Sequence, residues 1–82
     1  MYKEEIVKSC LSIYYPELLI EKGVDINDIQ LISQNIFHEE IISFSFYKEM
    51  TKIIFNIYIA KQSLDKTISE LRERKIKKLF DE

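Results

Sequence analysis

Residues 41–60 read IISFSFYKEMTKIIFNIYIA, and this stretch decides the fold. Apolar residues recur at every second position in two runs, Ile42–Phe46 and Ile53–Ile59. A period of two in β-branched and aromatic residues predicts strands, because successive side chains of a strand point to opposite faces of a sheet. The short polar interval between the runs predicts an antiparallel hairpin, with a four-residue turn at Lys48–Thr51.

This turn also predicts a register for the hairpin. The inward pairs that follow from it are Phe46 with Ile53, Phe44 with Phe55, and Ile42 with Ile57. Each inward residue then meets another inward residue, as a half-buried sheet requires. On the outward side, the same register places Ile41 opposite Tyr58.

Helical patterns precede the hairpin. Apolar residues at helical spacing predict a first helix over Tyr2–Tyr14. Pro16 disfavours helical geometry at Tyr15 and suits the first position of a second, short helix. We expect that helix to run through Lys22 and to end on Gly23 as a left-handed cap.

The remaining segments complete the order of elements. Ile29–Asn35 is interpreted as a strand, although its isoleucines also fit one helical face. A final helix is expected over Ser63–Phe80, with Ser63 as its N-cap. The predicted fold class is α+β: an α-β-β-β-α two-layer sandwich in one compact domain, residues 1–82, with helices on one face of a three-stranded antiparallel sheet. The expected core comprises Phe44, Phe55, Ile57, Ile6, Cys10, Ile68 and Leu71.

Composition and the N-terminal residues indicate the cellular compartment in which the protein is expected. Hydrophobic residues make up 46% of the chain, and the formal net charge is −2. The single cysteine fits a reducing compartment. Glu4 and Glu5 stand where a signal peptide would carry bases, and the near-apolar stretch Ile53–Ala60 is too short to span a bilayer. We therefore expect a cytoplasmic protein with no membrane association.

The residues offer little for catalysis. Cys10 is the only thiol and falls on the apolar side of the first helix, where a small buried side chain is expected. His38 is the only histidine, and His38-Glu39-Glu40 supplies too few ligands at recognisable spacing for a zinc site. With one glycine there is no phosphate-binding glycine-rich loop. We expect no catalytic residues, cofactor, metal or small-molecule substrate.

The outward side of the hairpin is the first candidate for binding. It carries Ile41, Tyr47, Ile54 and Tyr58 among Ser43, Ser45, Asn56 and Lys52, a combination of apolar residues and a polar rim that is typical of protein interfaces. An edge strand adds a second route, by pairing with another chain. The leading hypothesis is a small protein-binding domain, in the style of phage or mobile-element inhibitors of host machinery such as anti-CRISPR proteins. A structural homodimer that uses the same side is an alternative.

A second surface favours nucleic acid. Residues 61–78 hold seven bases against three acids, and Arg74, Lys75 and Lys78 lie close together on the predicted last helix. The order helix, three strands, helix resembles that of double-stranded RNA-binding domains. His38 falls in the loop that carries their histidine, but Ile36-Phe37 replaces their Gly-Pro, and their lysine cluster is reduced to Lys61 and Lys66. This resemblance implies a nucleic-acid-binding module as the alternative function.

Overall fold

A computed structural model of the chain describes residues 1–80, with side chains through residue 74. The helices are α1 (Glu4–Tyr14), α2 (Pro16–Lys22) and α3 (Lys61–Phe80), and a short 3-10 helix covers Ile26–Asp28. The strands are β1 (Ile29–His38), β2 (Ile41–Lys48) and β3 (Ile53–Ala60). None of the helices in residues 1–80 is long and apolar enough to cross a membrane.

The strands form one antiparallel sheet in the order β1-β2-β3, and the helices pack on one of its faces. The predicted α+β class and the three-stranded antiparallel sheet are thereby confirmed. Burial follows the predicted period of two, since alternate residues of β2 are buried. The buried apolar residues are Val7, Cys10, Leu11, Ile29, Ile42, Phe44, Phe46, Ile57, Ile59 and Leu64.

The hairpin is confirmed, but its predicted register is wrong by two residues. The observed pairs are Phe46 with Phe55, Phe44 with Ile57, Ile42 with Ile59, and Ile41 with Ala60 rather than with Tyr58. The predicted register would have set Ile59 opposite Glu40, whereas the observed one buries Ile59 completely against Ile42. Because a shift by two keeps every side chain on its face, alternation alone does not distinguish the two registers.

The turn that sets this register spans residues 49–52, one position later than predicted. Lys52 N–H donates to Lys48 O at 2.8 Å, and Lys52 adopts a left-handed conformation with φ of 56°. That conformation is uncommon for a residue with a side chain. A lysine in this position gives no sequence signal for the turn, which explains the misplaced prediction.

Helix boundaries agree with the predictions in part. α2 has the predicted bounds, and Gly23 ends it with φ of 63° as the expected left-handed cap. α1 begins at Glu4 rather than at Tyr2. The N-cap assigned to Ser63 is wrong, because α3 already begins at Lys61, whose N–H donates to Glu40 O at 2.8 Å.

β1 is a strand, which settles the ambiguity of Ile29–Asn35, and it is irregular. Its pairing with β2 breaks between Leu31 and Ser33 and again between Ile36 and His38. Ile32 and Phe37 are therefore extra residues, each a β-bulge. The bulges interrupt the period of two, which is why the isoleucines of this segment also fitted a helical spacing.

The centre of the core differs from the predicted one. Phe44, Ile57 and Cys10 are fully buried as expected. The other predicted members, Phe55, Ile6, Ile68 and Leu71, are only partly buried. Phe55 lies on the edge strand β3, where its ring stacks on that of Phe46 at a centroid distance of 5.9 Å.

We predict that Phe44→Ala lowers the free energy of unfolding by about 3–5 kcal/mol, because Phe44 is fully buried. Phe55→Ala should cost clearly less, because Phe55 keeps part of its surface in water in the folded state. Chemical denaturation of both variants measures the difference. An equal or larger loss for Phe55→Ala would contradict this assignment of the core.

Candidate protein-binding face

The face of the sheet that the helices leave uncovered is the candidate site, and we call it the outer face. Its residues follow from the observed pairing and from the burial of the alternate positions. They are Gln30, Ser33, Asn35 and His38 of β1, Ile41, Ser43, Ser45 and Tyr47 of β2, and Ile54, Asn56, Tyr58 and Ala60 of β3, together with Phe37, which has no pairing partner and is placed here by its ring contact with Tyr58. None of these is Asp, Glu, Lys or Arg, although 32% of the chain is charged. Depletion of charge is characteristic of the core of protein interfaces.

All four residues predicted for protein binding lie on the outer face. Ile54 is 63% exposed and Tyr58 is 51% exposed, while Ile41 and Tyr47 are partly buried. Tyr47 and Ile54 are directly opposite each other, so they form one apolar end of the face near the hairpin turn. Ile41 is diagonal to Tyr58 at the other end, because Ala60 and not Tyr58 is its partner.

Phe37 belongs to the site and was not predicted. Its side chain is 65% exposed, and its ring lies 4.9 Å from that of Tyr58, centroid to centroid. The two residues come from the two edge strands, which are separated by β2, so their rings lean towards each other across the central strand. Ser43, which pairs with Tyr58, is small enough to leave room for this contact.

Phe37 was missed because the predicted first strand ended at Asn35, whereas β1 continues to His38. An alternating strand would place Ile36 and Phe37 on opposite faces, and no sequence pattern marks which of them faces outward when an extra residue is inserted. The only signal is the pair of adjacent apolar residues at the end of a strand. Two such neighbours cannot both be buried in a sheet that is covered on one face.

The middle of the outer face is polar. Ser45 Oγ donates to Asn56 Oδ1 at 2.7 Å across the β2–β3 pair. This hydrogen-bonded pair separates the Tyr47–Ile54 end from the Phe37–Tyr58 end. The face thus presents two apolar contact points joined by neutral hydrogen-bonding groups, which suits another protein surface better than it suits an ion or a small charged ligand.

The candidates for chemistry lie away from this face or lack partners. Cys10 is fully buried, and burial raises the pKa of its thiol, while a hydrogen bond with Thr67 acts in the opposite direction. A raised thiol pKa disfavours the reactive thiolate. His38 is exposed at the end of β1. Among residues 1–80, no three His, Cys, Asp or Glu side chains are grouped to hold a metal ion.

The basic residues considered for nucleic acid lie on the helical side of the molecule. Arg74 is exposed and, with Lys3 and Arg72, borders a groove of about 590 Å³ between α1 and α3. Ile68 and Leu71 contribute to its apolar lining. The side chains of Lys75 and Lys78 lie outside those that the structure describes. Arg74 is therefore on the opposite side of the sheet from the outer face.

Comparison of the chain with protein-family models, with curated proteins and with solved structures gives no match. The likeness to double-stranded RNA-binding domains consequently rests on the order of elements.

We predict that Phe37 and Tyr58 stabilise the fold jointly, because their rings are in contact. A double-mutant cycle with Phe37→Ala and Tyr58→Ala should give a coupling of about 0.5–1.5 kcal/mol in the free energy of unfolding. The control pair is Phe37→Ala with Ile54→Ala, at opposite ends of the face, whose effects should add. Strict additivity for Phe37 and Tyr58 would contradict the ring contact.

Proposed function

We propose that this chain is a small non-catalytic protein-binding domain that docks its outer face against a larger protein. The observation that supports this proposal is the complete lack of charged residues on a solvent-exposed sheet face, in a chain where about a third of the residues are charged. A face maintained only for solubility gains from Lys and Glu. A face that becomes desolvated against a partner loses stability from them, because buried unpaired charges are costly.

The aromatic pair is the expected anchor of this interface. Tyr and Phe supply large contact areas, and residues that dominate binding energy are enriched in Tyr. The contact between Phe37 and Tyr58 already restricts both rings in the free protein. Less conformational entropy is then lost when a partner covers them, which favours binding.

The setting that we propose is the cytoplasm, in keeping with a single buried cysteine. A small domain that has no catalytic groups and acts by covering a surface of another protein fits an inhibitor of cellular machinery. Phage and mobile-element products such as anti-CRISPR proteins work in this way. We propose a role of that kind by analogy with their small size and lack of catalytic groups.

We predict that an outer-face substitution removes the protein partner while an equivalent substitution elsewhere does not. Wild type, Tyr58→Ala, Ile54→Ser and Ile20→Ser serve as baits for affinity capture from the source cell, with nuclease treatment and quantitative mass spectrometry. Ile20 is the matched control, because it is 80% exposed on α2, away from the outer face. A true partner is retained by wild type and Ile20→Ser, and its recovery falls about tenfold or more with Tyr58→Ala, since loss of an anchor costs about 2 kcal/mol or more.

Circular dichroism and thermal unfolding of each bait exclude loss of the fold as the cause. A protein retained equally by all four baits does not use the outer face, and if all retained proteins behave in this way the proposal is wrong. Partners that disappear on nuclease treatment would favour the nucleic-acid alternative instead.

We also predict that reversing Arg74, Lys75 and Lys78 to Glu leaves recovery of the protein partner unchanged, because Arg74 lies on the helical side of the sheet. Fluorescence anisotropy with labelled duplex RNA and duplex DNA tests the alternative directly. We expect little binding at physiological salt, since a few phosphate contacts give weak, salt-sensitive affinity. Submicromolar duplex binding that falls steeply with salt and is abolished by the triple reversal would overturn the proposed ranking.

A further inference from the structure

The sheet has two edges, β1 and β3, and they differ in how well they are closed. An edge strand exposes backbone N–H and C=O groups that pair readily with another strand. Proteins protect such edges with bulges, with charged side chains or with groups that occupy the free donors.

The β1 edge is protected by bulges and by a side chain that occupies one of its free backbone donors. Two bulges, at Ile32 and Phe37, break its regular geometry. Between Ile29 and the first bulge, the N–H of Leu31 donates to Glu4 Oε2 at 2.9 Å, so the carboxylate of α1 occupies a backbone donor of the strand. A strand of another chain therefore finds no regular row of free backbone groups to pair with on β1.

The β3 edge is regular and uncharged. All eight residues of β3 pair with β2 without a break in register. The strand contains no Pro, Asp, Glu, Lys or Arg between Ile53 and Ala60. β1 lacks these residues as well, so the two edges differ in the bulges and the occupied Leu31 donor of β1, whereas on β3 only the N–H of the last residue is covered.

The covered residue shows which backbone groups face outward. Ala60 N–H donates to Tyr15 Oη at 3.3 Å, so the N–H of Ala60 points away from β2. In an antiparallel strand, alternate residues direct their N–H and C=O groups to the same side. The N–H and C=O groups of Ile54, Asn56 and Tyr58 consequently point to the open edge as well.

We propose that these three residues pair with the same three residues of a second copy of the chain, antiparallel, about a two-fold axis at Asn56. Asn56 then pairs with the partner copy's Asn56, and Ile54 pairs with Tyr58 in both directions. This register uses every open backbone group of the edge. Centring on Ile57 instead would require the Ala60 N–H that Tyr15 already occupies, and centring on Phe55 would require Lys52, which leaves the strand conformation.

The side chains are compatible with this register. On the outer face it brings Ile54 against Tyr58 twice and sets two Asn56 amides, which hydrogen-bond to each other, at the centre. On the other face it sets Ile53 opposite Ile59, and Ile53 is 55% exposed in one copy. Lys52 and Lys61 fall opposite Ala60 and Thr51, so no two lysines face each other. Residues 53–60 carry no charge, so the self-paired segment contains no like charges, and Lys52 and the partner copy's Lys61 are neighbours only at its ends.

The product is a continuous six-stranded sheet in which two outer faces become one. This inference stands on the β3 edge and does not depend on the proposed function, since a single outer face is sufficient to bind a partner. The two ideas also fail separately: the dimer is tested on the pure protein, and partner binding is tested by capture.

Sedimentation equilibrium over a range of concentrations measures the dimer. We expect wild type to dimerise reversibly and Asn56→Lys to raise the dimer dissociation constant about tenfold or more, because two lysines would then face each other across the axis. Asn35→Lys is the matched control, since Asn35 is an exposed asparagine on the outer face of the closed β1 edge. It should leave the dissociation constant unchanged.

A cross-link tests the register. Directly opposed residues lie within disulfide distance, so Asn56→Cys should give a covalent dimer under mild oxidation, and Asn35→Cys should not. Wild type, whose single Cys10 is buried, should stay uncross-linked. A wild type that remains monomeric at the highest concentration that stays in solution overturns the proposal. So does a dimer that Asn56→Lys leaves intact and Asn56→Cys does not cross-link.

Discussion

The pairing of β2 with β3 is the constraint on which the rest of this structure depends. Its unbroken ladder sets Phe46 against Phe55, Phe44 against Ile57 and Ile42 against Ile59 on one face, and α1 and α3 pack on the surface that results. Because side chains alternate along both strands, the same ladder necessarily collects the intervening residues on the other face. The register of the β2–β3 pair thus determines both the core and the candidate site.

This dependence explains which features were predictable from the sequence. The two hairpin strands, the helix between Pro16 and Gly23, and the buried positions of β2 follow from local rules on periodicity, proline and left-handed glycine. The register does not, because a shift by two preserves every face. Only a non-local comparison distinguishes the two solutions: one buries Ile59 against Ile42, and the other leaves it opposite Glu40.

The candidate site was predictable to the same extent and for the same reason. Ile41, Tyr47, Ile54 and Tyr58 were assigned to the outer face by parity, which the register error did not change. Their neighbours were not predictable, since those depend on the register itself. Phe37 lies beyond the predicted end of the first strand, in an irregular part of β1, and its ring is 4.9 Å from that of Tyr58. Sequence periodicity therefore yields the composition of a sheet face but not its contacts.

The outer face and the β3 edge share a lack of charged residues. The helices carry many acids and bases, so the lack of charge on the outer face and along β3 is local and does not reflect a chain that is poor in charge. Lys52 and Lys61 stand immediately outside the strand at its two ends, and Glu4 closes the opposite edge through Leu31. Charged residues thus flank β3 at both ends, whereas β3 itself carries none. A strand that faced only water would tolerate a charge at Asn56, because its side chain is exposed and makes one hydrogen bond, with Ser45. The neutral asparagine at this position is more readily understood if another surface covers it.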